Sequence, residues 1–457
     1  MDVCRAKVID INTMNIANIH TMTKEMIMST AILMVCLLCS GCTKTEPAWE
    51  DGIASDIAGL PHVVSVTKEE STEFAARFKV FFEQPLDHDN LSAGTFRQLV
   101  YVCLTDPAAP NVLITEGYYA FDAASTHELA KMLDANQIVV EHRYYGESVI
   151  EDPTFRYNGT VNSCDDLHVV VSELKYLLSG KWISTGRSKS GLTCNMYRAC
   201  YPDDVDVTVP YSSPFCRSRY DGRMADALNT CVGTPEARAK LIDFQREVLK
   251  RRDAMAVRWE NSAAEQGMQM RLTAGQMIDL NILDFRVGFW AFGFNADDIP
   301  GPAASDDEIF NYMVSLSGPD SWDAGADVNK YYTEAYKELG HYALPTDGLE
   351  DLLTVDDNIL QDFLKYAFVP DSVPETFSTD MHQKVDGFLL ETDARYIFIY
   401  GSWDPWCYVG IGHEYEKDNI RRYVLPEGTH HTNISDFDPA AQAEIKSLLV
   451  RWIDGGE

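Results

Sequence analysis

Basic residues are scarce in this chain. Its 457 residues hold 38 lysines and arginines against 70 aspartates and glutamates, a formal charge of −32. The first 42 residues balance, with Arg5, Lys7 and Lys24 against Asp2, Asp10 and Glu25, so the remainder carries the whole surplus. So acidic a surface argues against a nucleic-acid partner, because phosphate binding needs a basic face. It speaks for solubility more than for function. Cys-x-x-Cys pairs are also missing, and no histidine cluster accompanies the cysteines, so neither a structural zinc nor another cofactor is expected. There is no internal repeat and no low-complexity tract, which sets aside solenoids and arrays. The apolar run Ser29–Cys39 is too short to span a bilayer stably.

That run suits the apolar region of a signal peptide instead, preceded by Lys24 and closed by Ser40-Gly41-Cys42. The close resembles a bacterial lipobox, with Cys39 where leucine is usual. In that case Cys42 is lipidated and becomes the first mature residue; plain secretion is the alternative. The charged region belongs just before the apolar run, so the residues ahead of Met22 read as an over-extended gene start. Residues 1–42 are thus expected to be a lipoprotein-type signal segment on an exported protein held to a bacterial membrane. Residues 43–71, acidic and polar, read as a tether. Export permits disulfides. Seven cysteines follow Cys42, an odd number, so at least one is free or pairs elsewhere; Cys216 with Cys231 is a candidate bridge.

What remains is long enough for two to three domains of about 150 residues each, and a 46% hydrophobic content allows a sizeable core. Phe74–Phe82 and Thr95–Val102 pattern as strands broken by Gln84-Pro85-Leu86-Asp87-His88, an antiparallel start. Short buried strands at Val112–Thr115, Gln137–Val140, Trp182–Thr185 and Val205–Val209 then alternate with helices at about Ser125–Leu133 and Asp165–Leu178. Alternation of this kind implies a mainly parallel sheet covered on both faces. From about Pro214 to Val385 strand patterns thin out. Helical segments dominate at Ala237–Trp259, Gln276–Phe292, Val328–Leu339 and Asp356–Phe368. Strands return at Tyr396–Tyr400 and Arg422–Leu425, and a helix closes the chain at Ala441–Ile453. The expected architecture is an α/β-hydrolase fold, residues 72–213 and 386–457, with an inserted helical cap at 214–385.

The chemistry gathers around Gly186-Arg187-Ser188-Lys189-Ser190, between a strand and a helix. This is the layout of a nucleophile elbow, whose apex is strained and whose neighbours at plus and minus two must be small. Gly186 and Ser190 satisfy that around Ser188. With Ser190 at the apex, Leu192 would be too bulky. A serine needs a base to take its proton and a carboxylate to hold that base. Asp404 follows the strand Tyr396–Tyr400 in a tight turn, and His430 follows Arg422–Leu425, giving the chain order Ser, Asp, His. Asp203, Asp204 and Asp206 stand at the wrong end of their strand. His430 is preferred to His431 because Gly428-Thr429-His430 forms a small-x-His turn. Two backbone N–H groups must meet the oxyanion, and topology assigns them to Lys189 and to the loop Gly117-Tyr118-Tyr119, with Tyr118 as donor.

Several of these stretches resemble known families. Gln84-Pro85-Leu86-Asp87-His88, Gly94-Thr95-Phe96-Arg97-Gln98 and Glu141-His142-Arg143-Tyr144-Tyr145-Gly146-Glu147-Ser148 are similar to the lysosomal prolyl carboxypeptidase and dipeptidyl peptidase group. The elbow with Tyr197-Arg198, Tyr201-Pro202-Asp203-Asp204-Val205-Asp206 and Glu338-Leu339-Gly340 resemble the secreted tripeptidyl aminopeptidases of streptomycetes. The departures are Ser190 for glycine and His431 for glycine. The resemblance implies a metal-free serine exopeptidase that takes short peptides from a free N-terminus and favours proline or small residues near the cut. An aminopeptidase needs a negative group for the substrate ammonium and a cap that limits entry. Glu338, with Glu334 behind it, is the candidate pair; both equally fit a solvated helix face. The aromatic stretch Phe285–Phe294 fits either a proline pocket or the cap's core. Glu141 and Arg143 are candidates for a buried pair orienting the elbow. The same triad also serves carboxylesterases and lipases, and a lipid-anchored peptide-binding protein with an idle triad is a third possibility.

Overall fold

A computed structural model describes residues 49–325 and 328–456. The expected signal segment, Cys42 and the tether as far as residue 48 lie outside the described residues. The chain opens with α1 (Glu50–Ala58), β1 (Val63–Glu69), β2 (Ala76–Pro85), β3 (Thr95–Leu104), β4 (Asn111–Thr115), α2 (Glu128–Leu133) and β5 (Asn136–Val140). It continues with α3 (Thr160–Leu174), β6 (Trp182–Arg187), α4 (Lys189–Cys200) and β7 (Val207–Tyr211). The expected tether is corrected here. β1 pairs antiparallel with β2 from Val63 to Glu69, so this end of the expected tether is an edge strand of the sheet. Only one of its faces meets protein, which is why its composition reads as solvated.

Among the described residues the main sheet runs β1-β2-β3-β5-β4-β6-β7, followed by β10 (Arg395–Gly401) and β11 (Ile420–Leu425). Its first three pairings are antiparallel and the rest parallel. β4, β5 and β7 are buried at every position, as strands covered on both faces must be. One cover consists of α2 and the closing helix α14 (Pro439–Ile453), whose Ile445, Leu449 and Trp452 join Ile114, Val139 and Val209 in one core. The other is built on α3 and α4. This is the α/β-hydrolase fold, and it places the ends of β4, β6, β10 and β11 along one edge.

Between β7 and β10 lie β8 (Tyr220–Asp221), α5 (Arg223–Thr230), α6 (Pro235–Lys250), α7 (Arg252–Glu265), α8 (Ala274–Ala291), α9 (Asp306–Val314) and α10 (Val328–Glu334). After them come β9 (His341–Tyr342), α11 (Asp357–Gln361), α12 (Phe363–Ala367) and α13 (Asp380–Glu391). The helix expected over Ala237–Trp259 is two helices, because Arg251 leaves helical geometry at ψ 21°. That over Asp356–Phe368 breaks likewise at Asp362, φ −135°. α13 packs on α4 and so belongs to the hydrolase layer, although the cap was expected to reach 385. The candidate bridge Cys216–Cys231 is not formed: Cys216 is buried, Cys231 is exposed, and all seven cysteines of the described residues are free thiols.

α8 is the centre of the cap. Its N-terminus is fixed by a capping box between Thr273 and Gln276, and Phe285 and Phe289 are fully buried in the cap. Of the two roles open to the aromatic stretch, these two rings serve the cap's core. Three acidic or amide side chains on α8 are tied to neighbouring elements. Asp279 takes Arg252 Nε at 2.6 Å, Asn281 accepts from Trp322 Nε1 at 2.9 Å, and Asp284 accepts from the Tyr342 hydroxyl.

Asp284 generates a stability prediction. Burial pushes its carboxyl up to about 6, against the lowering effect of the Tyr342 hydrogen bond. An unfolded aspartate titrates near 4, so the folded chain holds this proton more tightly. Below about pH 4 both states are protonated and no penalty exists; it grows between about pH 4 and pH 6 and is complete above. Asp284→Asn cannot ionise. Its Tm relative to the native chain is expected to rise by about 2–4 °C between about pH 4.5 and about pH 7.5. Thermal denaturation at the two pH values checks this, and an unchanged difference would refute it.

Candidate active site

β6 delivers the chain to Ser188, which takes φ 59° and ψ −127°, a strained geometry for a residue with a side chain. α4 starts at the next residue. A Cβ on Gly186 would stand 2.2 Å from Ser190 Oγ, so glycine is required there. Serine suffices at 190, and it is locked. Its hydroxyl donates to the Thr115 carbonyl at 2.6 Å, and Thr115 Oγ1 donates back to the Ser190 carbonyl at 3.0 Å. The elbow is thus tied to the end of β4.

Asp404 sits past β10 and is fully buried. Its Oδ1 accepts the Trp406 N–H at 3.1 Å, and its Oδ2 lies 2.9 Å from His430 Nδ1. One carboxylate therefore both closes the turn and holds the imidazole. With Nδ1–H donated to Asp404, His430 Nε2 is left as the proton acceptor. The His430 N–H donates to the Ala291 carbonyl at 2.9 Å, so the end of α8 supports this loop. His431 turns aside against Phe292, ring centroids 5.8 Å apart. Burial lowers its imidazole below the usual range. Asp204 and Asp206 are engaged elsewhere, with Tyr197 and His168, and with Lys181.

Arg187 joins the elbow to the histidine loop. Its guanidinium donates to the carbonyls of His430 (2.7 Å) and Thr432 (3.0 Å) and to Asn433 Oδ1 (2.6 Å). A cavity beside Ser188 is walled by Lys189, Pro214, Tyr331, Leu339 and Trp406. The Trp406 ring is 6.4 Å from that of His430. Ser188, Asp404 and His430 therefore converge on one end of the sheet, under the cap.

The expected oxyanion loop packs directly on the elbow. A Cβ on Gly117 would come within 2.8 Å of Ser190 N and Lys189 Cγ. The Gly117 carbonyl accepts from Lys189 Nζ at 2.7 Å. In a planar trans peptide the carbonyl and the following N–H point opposite ways, so this bond turns the Tyr118 N–H away from Lys189 Nζ. The ammonium itself is buried, with Glu334 Oε2 at 2.9 Å and His142 Nε2 at 3.3 Å. Burial lowers its proton affinity and Glu334 raises it. His142 is held neutral, first by burial and then by Lys189.

Glu334 and Glu338 occupy different places. α10 ends at Glu334 and continues as one π turn, Ala335–Leu339, stopped by Gly340 at φ 75°. Glu334 faces Lys189. Glu338 accepts the Thr160 N–H (2.9 Å) and hydroxyl (3.0 Å) at the start of α3. Burial, then Glu334, raises its carboxyl above the usual range. The expected Glu141–Arg143 pair does not form. Arg143 clasps Asp166 at 2.8 and 2.7 Å, while Glu141 accepts the backbone N–H of Glu147 and Ser148. Each side chain finds partners in a different loop or helix instead. The sequence pattern points to a backbone role for Lys189 and to none for Arg187, so neither side chain stands out in it. Their signal was two cations flanking the serine in an acidic chain. Among the described residues no group of three or more His, Cys, Asp or Glu is placed to hold a metal ion.

The profile of the family described as PS-10 peptidase S37 matches residues 51–455. This chain belongs to that family. The curated prolyl tri/tetrapeptidyl aminopeptidase of Streptomyces mobaraensis is 29% identical over 381 residues, 81% of this chain and 79% of the relative. Among solved structures, proline iminopeptidase of Mycobacterium smegmatis matches at 12% identity and TM-score 0.37, over 82% of this chain and 99% of that one. An alpha/beta hydrolase from Penicillium sp. sh18 matches at 11% and 0.38, over 83% and 99%. This S37 peptidase is a serine peptidase.

Removing the ammonium tests its place in the site. Lys189→Met leaves Glu334 buried and uncompensated, an expected loss of about 3–5 kcal/mol in stability. It also frees the 117–118 peptide, with an expected fall of about 100-fold in kcat on a simple activated ester, which has no ammonium to bind. Lys189→Met with Glu334→Gln is expected to recover most of the stability and little of the turnover. Denaturation and ester kinetics check both halves; recovery of turnover with stability would leave Lys189 a purely structural role.

Proposed function

We propose that this S37 peptidase is an exopeptidase that releases short peptides, in the tripeptide range, from free N-termini. The observation that carries this is the origin of the cavity roof. Tyr331, Leu339 and Gly340 of one cap segment line the Ser188 cavity, and that same segment bears Glu334 and Glu338. A closed acyl side with carboxylates behind it suits a short chain ending in an ammonium. Glu334, beside Lys189, is the nearer group for that ammonium, and Glu338 adds its charge from the start of α3. The name of the Streptomyces relative, a prolyl tri/tetrapeptidyl aminopeptidase, favours the same reading.

In the proposed mechanism His430 Nε2 takes the Ser188 proton as Oγ attacks the scissile carbonyl carbon. Negative charge moves to the carbonyl oxygen, where the N–H groups of Lys189 and Tyr118 meet it. Asp404 holds the imidazolium, which protonates the departing amine as the C–N bond breaks. Water, activated by the same imidazole, then hydrolyses the acyl-enzyme and restores Ser188. The proposal extends to location: an exported chain held to a bacterial membrane by lipid on Cys42.

Two measurements test it. A tripeptide chromogenic amide with a free N-terminus is expected to be cleaved, its acetylated form not, and neither by Ser188→Ala. Glu334→Gln is expected to raise KM for the free amine at least about 10-fold. Equal cleavage of both amides would overturn the N-terminal clamp, and cleavage of short esters alone would favour an esterase. For location, the full chain is expected in the membrane fraction and Cys42→Ala outside it; no shift between fractions would refute the anchor.

A further inference from the structure

A second cleft, of about 40 Å³, lies in the cap between Leu228, Asn229, Arg238, Leu241, Arg286 and Trp290. Its polar lining is mostly donors. Arg286 is 2% exposed, yet its partners are all neutral: Gln245 Oε1 at 3.1 Å, Asn229 Oδ1 at 3.2 Å and the Asp347 carbonyl at 3.0 Å. Asp347 and Glu350 are near enough to be felt by Arg286 electrostatically, but neither pairs with it. Arg238 donates to the carbonyls of Val232 and Gly233 at 2.9 and 2.8 Å. Neither guanidinium has an ion-pair partner among the described residues, in a chain with 70 carboxylate side chains. The indole Nε1–H of Trp290, a residue 4% exposed, has no acceptor. The ring is fixed, since a Cβ on Gly233 would stand 2.0 Å from it.

A buried cation such as Arg286 is normally paired, and a buried N–H such as that of Trp290 normally finds an acceptor, while Arg238 is half-buried. We infer that this cleft binds a small carboxylate, its oxygens between Arg238, Arg286 and the Trp290 Nε1–H and its alkyl part against Leu228 and Leu241. The guanidinium fork matches a carboxylate, and the apolar walls match a short stem. The site also reaches the reaction centre. The Trp290 ring lies 5.9 Å from that of Trp403, the residue before Asp404. The next residue, Ala291, accepts the His430 N–H. An occupant that firms the end of α8 therefore firms both loops. The inference does not depend on the substrate assigned above.

The test is thermal denaturation of the chain from Thr43 onward, titrated with acetate or butyrate at constant ionic strength, chloride being the balancing anion. A saturable rise in Tm of at least about 2 °C is expected, larger for butyrate than for acetate. Arg238→Gln and Trp290→Phe, the second keeping the ring and losing only the N–H, are each expected to weaken the titration at least about 10-fold. No saturable shift, or the same shift in both variants, overturns the site. An equal effect from chloride and acetate in a non-coordinating background overturns the carboxylate assignment. These readouts use no activity, so they stand or fall apart from the exopeptidase reading.

Discussion

The ammonium of Lys189 is the group on which the site most depends. Removing a cation from water is costly, and it stays charged inside only where opposite charge and acceptors surround it. Glu334, the Gly117 carbonyl and the rings of Tyr118 and Tyr145 do this. These partners come from three parts of the fold: the cap, the loop after β4, and the loop after β5. One buried charge next to Ser188 thus ties the cap to the sheet and orients the peptide expected to meet the oxyanion. A cap that shifted would strip Glu334 from Lys189. Docking and oxyanion geometry are therefore one equilibrium rather than two.

The histidine side of the site is held by a separate set of contacts. Arg187 clamps the carbonyls of His430 and Thr432 from the elbow, and Ala291 takes the His430 N–H from the cap. Glu128 at the start of α2 accepts the N–H groups of Ile434 and Ser435 just beyond. The loop has no ladder partner of its own, so its backbone groups are satisfied from three directions. The imidazole itself is held by the Asp404 carboxylate, with the rings of Trp406 and Phe292 beside it. Position is set by the backbone clamps and tautomer by the carboxylate.

Much of this was legible in the sequence, and what was not has a physical cause. The elbow could be read because strain at Ser188 restricts its neighbours to small residues. Asp404 and His430 could be read because parallel strands end on one edge. Local patterns failed where long-range contacts decide. β1 is a short edge strand, half-buried at best, and the polar composition of residues 43–71 as a whole masks it. The Glu141–Arg143 pairing was inferred from closeness in sequence, yet Asp166, from α3, reaches Arg143 first. Glu338 reads equally as a group for the substrate ammonium or as a solvated helix carboxylate, and only the fold shows that it caps the start of another helix. Two helix breaks, at Arg251 and Asp362, carry no proline or glycine to mark them.

The acidic surplus and the buried cations belong to one arrangement. Loops at the carboxyl ends of parallel strands leave carbonyls without ladder donors, and those carbonyls need N–H groups from side chains. Arginine and lysine supply several donors each, and four of them are buried or nearly so in these loops and the cap: Arg143, Arg187, Lys189 and Arg286. Arg143 donates to the carbonyls of Leu86 and Tyr157, Arg187 to those of His430 and Thr432, Lys189 to that of Gly117, and Arg286 to that of Asp347. Carboxylates cannot do this, being acceptors themselves. These four cations thus stand where backbone must be held without strands, while buried acids such as Asp166, Asp279 and Asp404 serve as acceptors for side-chain donors. Where such a cation also lacks a carboxylate, as at Arg286, it keeps unspent charge for a ligand.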